Sequence, residues 1–132
     1  MEAALAPTGL THMQFFILSA VAHLTGLGEA PSQTRIAGGL QVDSMTVSKV
    51  VRTLEGKGML ARAVHPADPR AKCVALTTAG TDMLRQASRL VGAEQERFFG
   101  CLGRDGKAAF SKMLDTLLEQ DEACVTRKKE AD

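Results

Sequence analysis

"QVDSMTVSKVVRTLEGKGML", residues 41–60, decides how this chain is to be read. Asp43 suits a helix N-cap, and Val47, Val50, Val51 and Leu54 recur at the spacing of one helical stripe. Gly58 supplies a left-handed stop, so the stretch predicts a helix over 44–57 with a single face turned to a core. The opposite face holds Ser44, Met45, Thr46, Ser48, Lys49, Arg52 and Thr53. Two uses fit it. Surface helices often carry such residues merely to meet water. Alternatively, Lys49 and Arg52 can bond guanine edges or phosphates, the hydroxyls can approach bases or backbone, and Met45 can touch a thymine methyl.

The flanking sequence separates these uses. Upstream, "LTHMQFFILSAVAHLT" starts with a capping box, Thr11 and Gln14, and a staple pair, Leu10 and Phe15, which predicts a helix over 11–24. "TGLGEAP" breaks it, and Ser32 caps a brief helix, "QTRIAGGL", with Ile36, Ala37 and Leu40 inward. A short helix, a tight turn and a capped helix with an open polar face have the layout of a helix-turn-helix. Downstream, 60–64 and 73–76 read as two strands joined by a proline-containing loop, a hairpin whose tip carries Arg70 and Lys72. A hairpin in that position is a wing. Asp68 stands two residues before Arg70, where its carboxylate can brace the guanidinium, and Pro69 stiffens the turn.

Two longer helices follow, one over 78–99 capped by Thr77 and a second beginning after "GCLGRDG". Leu90 and Phe98 on the first, with Phe110, Met113, Leu114, Leu117 and Leu118 on the second, form apolar stripes that need a cover: either they fold back on their own domain or, since so small a domain is poorly able to bury both helices, they pack against a second chain as a homodimer, which is the expectation. The expected organisation is an N-terminal arm (1–9), a winged helix-turn-helix (10–77), dimerisation helices (78–125) and a charged, disordered tail (126–132). The fold class is mainly α with a small β-hairpin.

Composition narrows the function. In 132 residues, 45% hydrophobic and 23% charged, no apolar run is long enough to span a bilayer and no leader pattern opens the chain, so cytoplasm is expected and a membrane is not. Net charge is +1, yet residues 44–72 hold six basic and two acidic side chains between near-neutral flanks, a candidate phosphate footprint. Three scattered cysteines, Cys73, Cys101 and Cys124, suit reduced thiols. Cys73 follows Lys72, which would suit a redox switch if the thiol were exposed, although a small buried apolar residue is the commoner role. No metal-ligand spacing, nucleophile with base, paired carboxylates or phosphate-cradling glycine loop is present, so neither a cofactor nor an enzyme is expected. A winged-helix module for protein contact, without sequence-specific DNA binding, stays open as the alternative to a DNA-binding regulator.

Four motifs in order resemble the MarR family of bacterial transcription regulators: "LTHMQFFIL", "SQTRIAGGLQVDSMTVSKVVRTLEGKGML", "DPR" and "LTTAG", spanning about 10–118. The resemblance implies a homodimer on pseudo-palindromic double-stranded DNA, with paired recognition helices in successive major grooves and wings in the minor groove. It places Ser44, Met45, Thr46, Ser48, Lys49 and Arg52 on the recognition surface, makes Arg70 the wing arginine and Asp68 its brace, and sets Gln33 and Thr34 against phosphate. It further implies a repressor released by a small aromatic or phenolic effector. Family members carry another helix before the Leu-Thr motif, where nine residues precede Leu10 here. Either the start is a truncation or the C-terminal helices alone make the dimer.

Overall fold

The computed structural model describes residues 2–70 and 72–131, the side chains of 124–131 excepted. In chain order the elements are α1 (Glu2–Leu5), a 3-10 turn (Ala6–Thr8), α2 (His12–Gly26), α3 (Gln33–Leu40), α4 (Ser44–Gly56), β1 (Leu60–Val64) and β2 (Lys72–Leu76). Then come α5 (Thr78–Phe99), a 3-10 turn (Gly100–Leu102) and α6 (Gly103–Ala131). Contacts divide the chain into two compact units, Met1–Gly92 and Ala93–Asp132.

The first unit is built by short-range chemistry that the sequence announces. Thr11 accepts the Gln14 backbone N–H at 3.2 Å while the Gln14 side chain accepts the Thr11 N–H at 3.1 Å, closing the capping box of α2. Ser32 accepts from Arg35 N–H at 3.1 Å to start α3. Gln41 then takes a left-handed conformation, φ 54°, and Val42 N–H donates to the Ala37 carbonyl, which turns the chain tightly into α4. Gly58, φ 73°, ends that helix as its position predicts. Ile17, Leu18, Val21, Ile36, Val47 and Leu54 are fully buried together, so α2, α3 and α4 share one core.

β1 and β2 pair antiparallel, Leu60 with Leu76 and Val64 with Lys72. β2 also bridges back to the segment before α3: Val74 N–H donates to the Pro31 carbonyl at 2.9 Å, and Ser32 faces Cys73. That bridge buries Cys73, whose Sγ lies 3.5 Å from the Ala30 carbonyl, so the thiol considered for a redox switch is covered and serves packing. Cys101 is exposed; the Cys124 side chain lies outside those described.

The base of the wing is locked to α5. Thr77 caps the helix by accepting Gly80 N–H at 3.0 Å, and its hydroxyl donates to the Gly58 carbonyl at 2.6 Å. Gly80 fits because it has no side chain: a Cβ there would stand 2.0 Å from the Met59 carbonyl oxygen.

Three features depart from the sequence expectations. Leu5 is fully buried, so the N-terminal segment contributes to the core instead of standing apart as an arm. The first compact unit reaches Gly92 instead of ending at 77, because Ala87 and Val91 on α5 belong to the same core. The stretch expected as a charged, disordered tail from 126 is helical as far as Ala131, as the continuation of α6.

Within the second unit the helices leave apolar side chains in the open. Phe98, Met113, Leu117 and Leu118 are each more than half exposed, and Phe110 and Leu114 are exposed beside them on α6. Leu90, in the first unit, is half-buried.

Candidate nucleic-acid interface

α4 presents its outward face because its apolar stripe is consumed by the core: Val47, Val51 and Leu54 are wholly buried. On the other side Met45 is 83% exposed, Ser44, Lys49 and Arg52 are exposed, and Ser48 is half-buried. Met45, Ser48, Lys49 and Arg52, with Asp43 and Thr46, line a shallow groove of about 450 Å³. The cap sits at its edge. Asp43 accepts the Thr46 backbone N–H at 2.8 Å and the Thr46 hydroxyl at 2.7 Å, and these bonds hold its carboxyl below the usual carboxylate range. The Thr46 hydroxyl proton is therefore committed to the cap.

The cations of the segment 44–72 fall into two groups. Arg62 is tied to Glu55 at 2.9 Å and Lys57 reaches the buried Gln14 at 3.5 Å. Lys49, Arg52, Arg70 and Lys72 have no carboxylate partner among the described residues. These four are the cations that the sequence sets on the outer helix face and on the wing. Unpaired, exposed and of one sign, they are free to meet phosphate or base edges.

Inside the wing, His65 Nδ1 accepts two backbone N–H groups, from Ala67 at 3.1 Å and Asp68 at 3.2 Å. Asp68 then accepts the backbone N–H of Arg70 at 3.0 Å. The brace expected between Asp68 and the Arg70 guanidinium is thus a brace on the backbone. Its physical reason is local: an aspartate closes a turn onto the amide two residues on more readily than it reaches a long flexible side chain. The pair of hydrogen bonds accepted by His65 carries no signal in the sequence pattern, since it depends on how the loop curls.

At the start of α3, Thr34 is exposed, whereas the Gln33 Nε2 is buried without a hydrogen-bond partner. Gln33 therefore does not offer its amide outward in this conformation, which differs from the expected phosphate contact.

A helix-turn-helix followed directly by a hairpin, with free cations on the second helix and the hairpin, defines a winged helix-turn-helix DNA-binding protein. The sequence pattern of the MarR family matches residues 10–72. The chain is 35% identical over 118 residues to the uncharacterized HTH-type transcriptional regulator YdcH of Bacillus subtilis, covering 89% of this chain and 79% of that one. Among solved structures it is similar to the regulator CouR of Rhodococcus jostii RHA1 bound to p-coumaroyl-CoA, with TM-score 0.76 and 28% identity over 88% of this chain and 77% of that one. It is likewise similar to the repressor CouR bound to a 23-mer DNA duplex, with TM-score 0.76 and 31% identity over 88% and 80% of the two chains. The chain belongs to the MarR family and is a DNA-binding transcriptional regulator. No single described helix is long and apolar enough to cross a membrane.

Proposed function

We propose that this protein is a repressor that grips a pseudo-palindromic operator as a homodimer, with α4 of each protomer in a major groove and each wing alongside in the minor groove. The carrying observation is that Lys49, Arg52, Arg70 and Lys72 are unpaired while Arg62 in the same segment is spent on Glu55. Ser44, Met45 and Ser48 give α4 small or apolar groups for base edges, and Thr34 supports the approach to phosphate from α3. Thr46 orients the helix start through its cap, and Asp68 shapes the wing tip through the Arg70 backbone.

The apolar stripe of Phe110, Met113, Leu114, Leu117 and Leu118, with Phe98 on α5, supports dimerisation through the C-terminal helices. A small-molecule effector that releases the operator is supported by the similarity to CouR, which was solved both with p-coumaroyl-CoA and with DNA.

Duplex binding measured across a salt series tests the reading. Log affinity falls linearly with log salt for the native chain. Arg70→Ala weakens all duplexes alike and lowers the salt slope by about 1 per wing, whereas Arg52→Ala also changes sequence preference, at a loss of roughly 1–3 kcal/mol on the preferred site. Affinity that ignores both salt and these substitutions would sink the assignment.

A further inference from the structure

The tip of the wing satisfies its own backbone donors. Pro66 and Pro69 have no N–H to give. The Ala67 and Asp68 amides both donate to His65 Nδ1, at 3.1 and 3.2 Å, and the Arg70 amide donates to Asp68 Oδ1 at 3.0 Å. From 66 to 70 every backbone N–H is already bonded within the tip, so this stretch can bind phosphate only through side chains.

His65 closes the network. Two donors converge on one ring nitrogen, so that atom carries a lone pair and the ring proton sits on Nε2. The imidazole is half-buried while Pro66 through Arg70 are exposed, which makes the ring the body around which the tip folds. The contacts run in one direction along the chain. His65 fixes the Ala67 and Asp68 amides, Asp68 fixes the Arg70 amide, and the ring of Pro69 stiffens the step between them. Arg70 therefore takes its starting point from His65, with no bond between the two listed side chains among the described residues. Lys72 is held separately, by its pairing with Val64 in the ladder.

We infer that His65 is the positioning residue of the wing: it presets the tip in the free protein, so that Arg70 meets the DNA backbone without the loop having to order first. The inference rests on the operator reading above and adds to it a residue that acts without touching DNA. A loop ordered beforehand loses less conformational freedom on binding, which strengthens the Arg70 contact without adding a new one. What the tip requires is an acceptor at the place of Nδ1. An asparagine Oδ1 stands at that place, one bond beyond Cγ, with two lone pairs for the two amides; a leucine fills similar space with no acceptor. His65 lies outside the buried core, so both replacements keep the fold.

His65→Leu and His65→Asn in the full chain test this on a mixed-sequence duplex, because the wing acts on all sequences alike. His65→Leu should weaken binding about fivefold, since the loop must then order at each encounter, and His65→Asn should stay within about twofold of the native chain. Added to Arg70→Ala, His65→Leu should weaken binding no further, because it works through Arg70. In the free ¹⁵N-labelled chain the Ala67 and Asp68 amides should be shielded from solvent exchange in the native protein and in His65→Asn, and should exchange freely in His65→Leu. Losses that add in the double variant would make His65 a direct contact, and His65→Asn behaving like His65→Leu would remove the acceptor role; either overturns the inference, as does free exchange of both amides in the native chain. Exchange is read without DNA, so a tip that is not preset is distinguishable from a chain that does not grip duplex, which the Arg70→Ala salt series decides.

Discussion

Gly80 shows how one missing side chain can hold two elements in register. Its Cα lies so close to the Met59 carbonyl that a Cβ would stand 2.0 Å from the oxygen, and the obstacle is backbone, which cannot swing aside. Gly80→Ala is therefore expected to push α5 off the base of the wing and cost about 1–3 kcal/mol, read as a lowered urea midpoint. A midpoint equal to the native one would mean that the two elements yield freely. Asp43 works through charge. Its carboxyl is held below the usual range chiefly by the Thr46 hydroxyl and then by the Thr46 backbone N–H. A folded-state pKa below the unfolded one gives stability that is present above the unfolded value and is lost as pH falls through the folded one. Asp43→Asn keeps an acceptor for the helix start but no charge, so the native chain should exceed the variant in stability at neutral pH. The difference should narrow as pH falls below about 4. A difference that stays constant across that range in thermal melts would refute the charged cap.

Elements differ in how firmly they are specified. α2 and α4 each carry a side-chain cap and a fully buried apolar stripe, so propensity, capping and burial agree. α3 has its cap and two buried residues, but it spans Gln33–Leu40 with two glycines inside it. A Cβ at Gly38 would meet nothing within 4 Å, and its backbone is not left-handed. Gly38→Ala should therefore stabilise the chain by about 0.5–1 kcal/mol, measured as a raised melting temperature. The wing is specified differently: its strands pair antiparallel with Leu60, Cys73 and Val74 buried, while its tip depends on His65 and Asp68 closing onto nearby amides.

For the whole chain, the balance of polar and apolar surface differs between the two units. The first has a closed core, with Leu5, Ile17, Val47, Val74 and Ala87 all essentially inaccessible. In the second, large apolar side chains of α6 are open to solvent at the i, i+3, i+4, i+7 spacing, a surface that water disfavours. Leu117, 63% exposed, lies within that stripe. Leu117→Glu should weaken self-association by roughly a hundredfold, because it buries an unpaired charge at a cost of ~3 kcal/mol, and light scattering across protein concentration reads the shift. An unchanged mass would move the interface elsewhere.

The sequence by itself determined the local and periodic features. Thr11, Ser32 and Asp43 start helices because each has its partner three residues on, Gly58 stops one because only glycine takes that conformation cheaply, and the Val47, Val51 and Leu54 stripe sets which side of α4 faces out. The outer face of α4, with Lys49 and Arg52, was legible because it is the complement of that stripe, and Arg70 and Lys72 were legible from the loop joining two short strand-like stretches. Tertiary structure alone decided which groups from distant segments meet. It buried Leu5 and Cys73, aimed Gln33 inward, locked Arg35 to Glu29, and carried the first core along α5 to Gly92. Caps and periodicities depend on residues a few positions apart, whose geometry the backbone fixes. Burial and pairing across elements depend on how those elements pack, and that information is spread over the whole core.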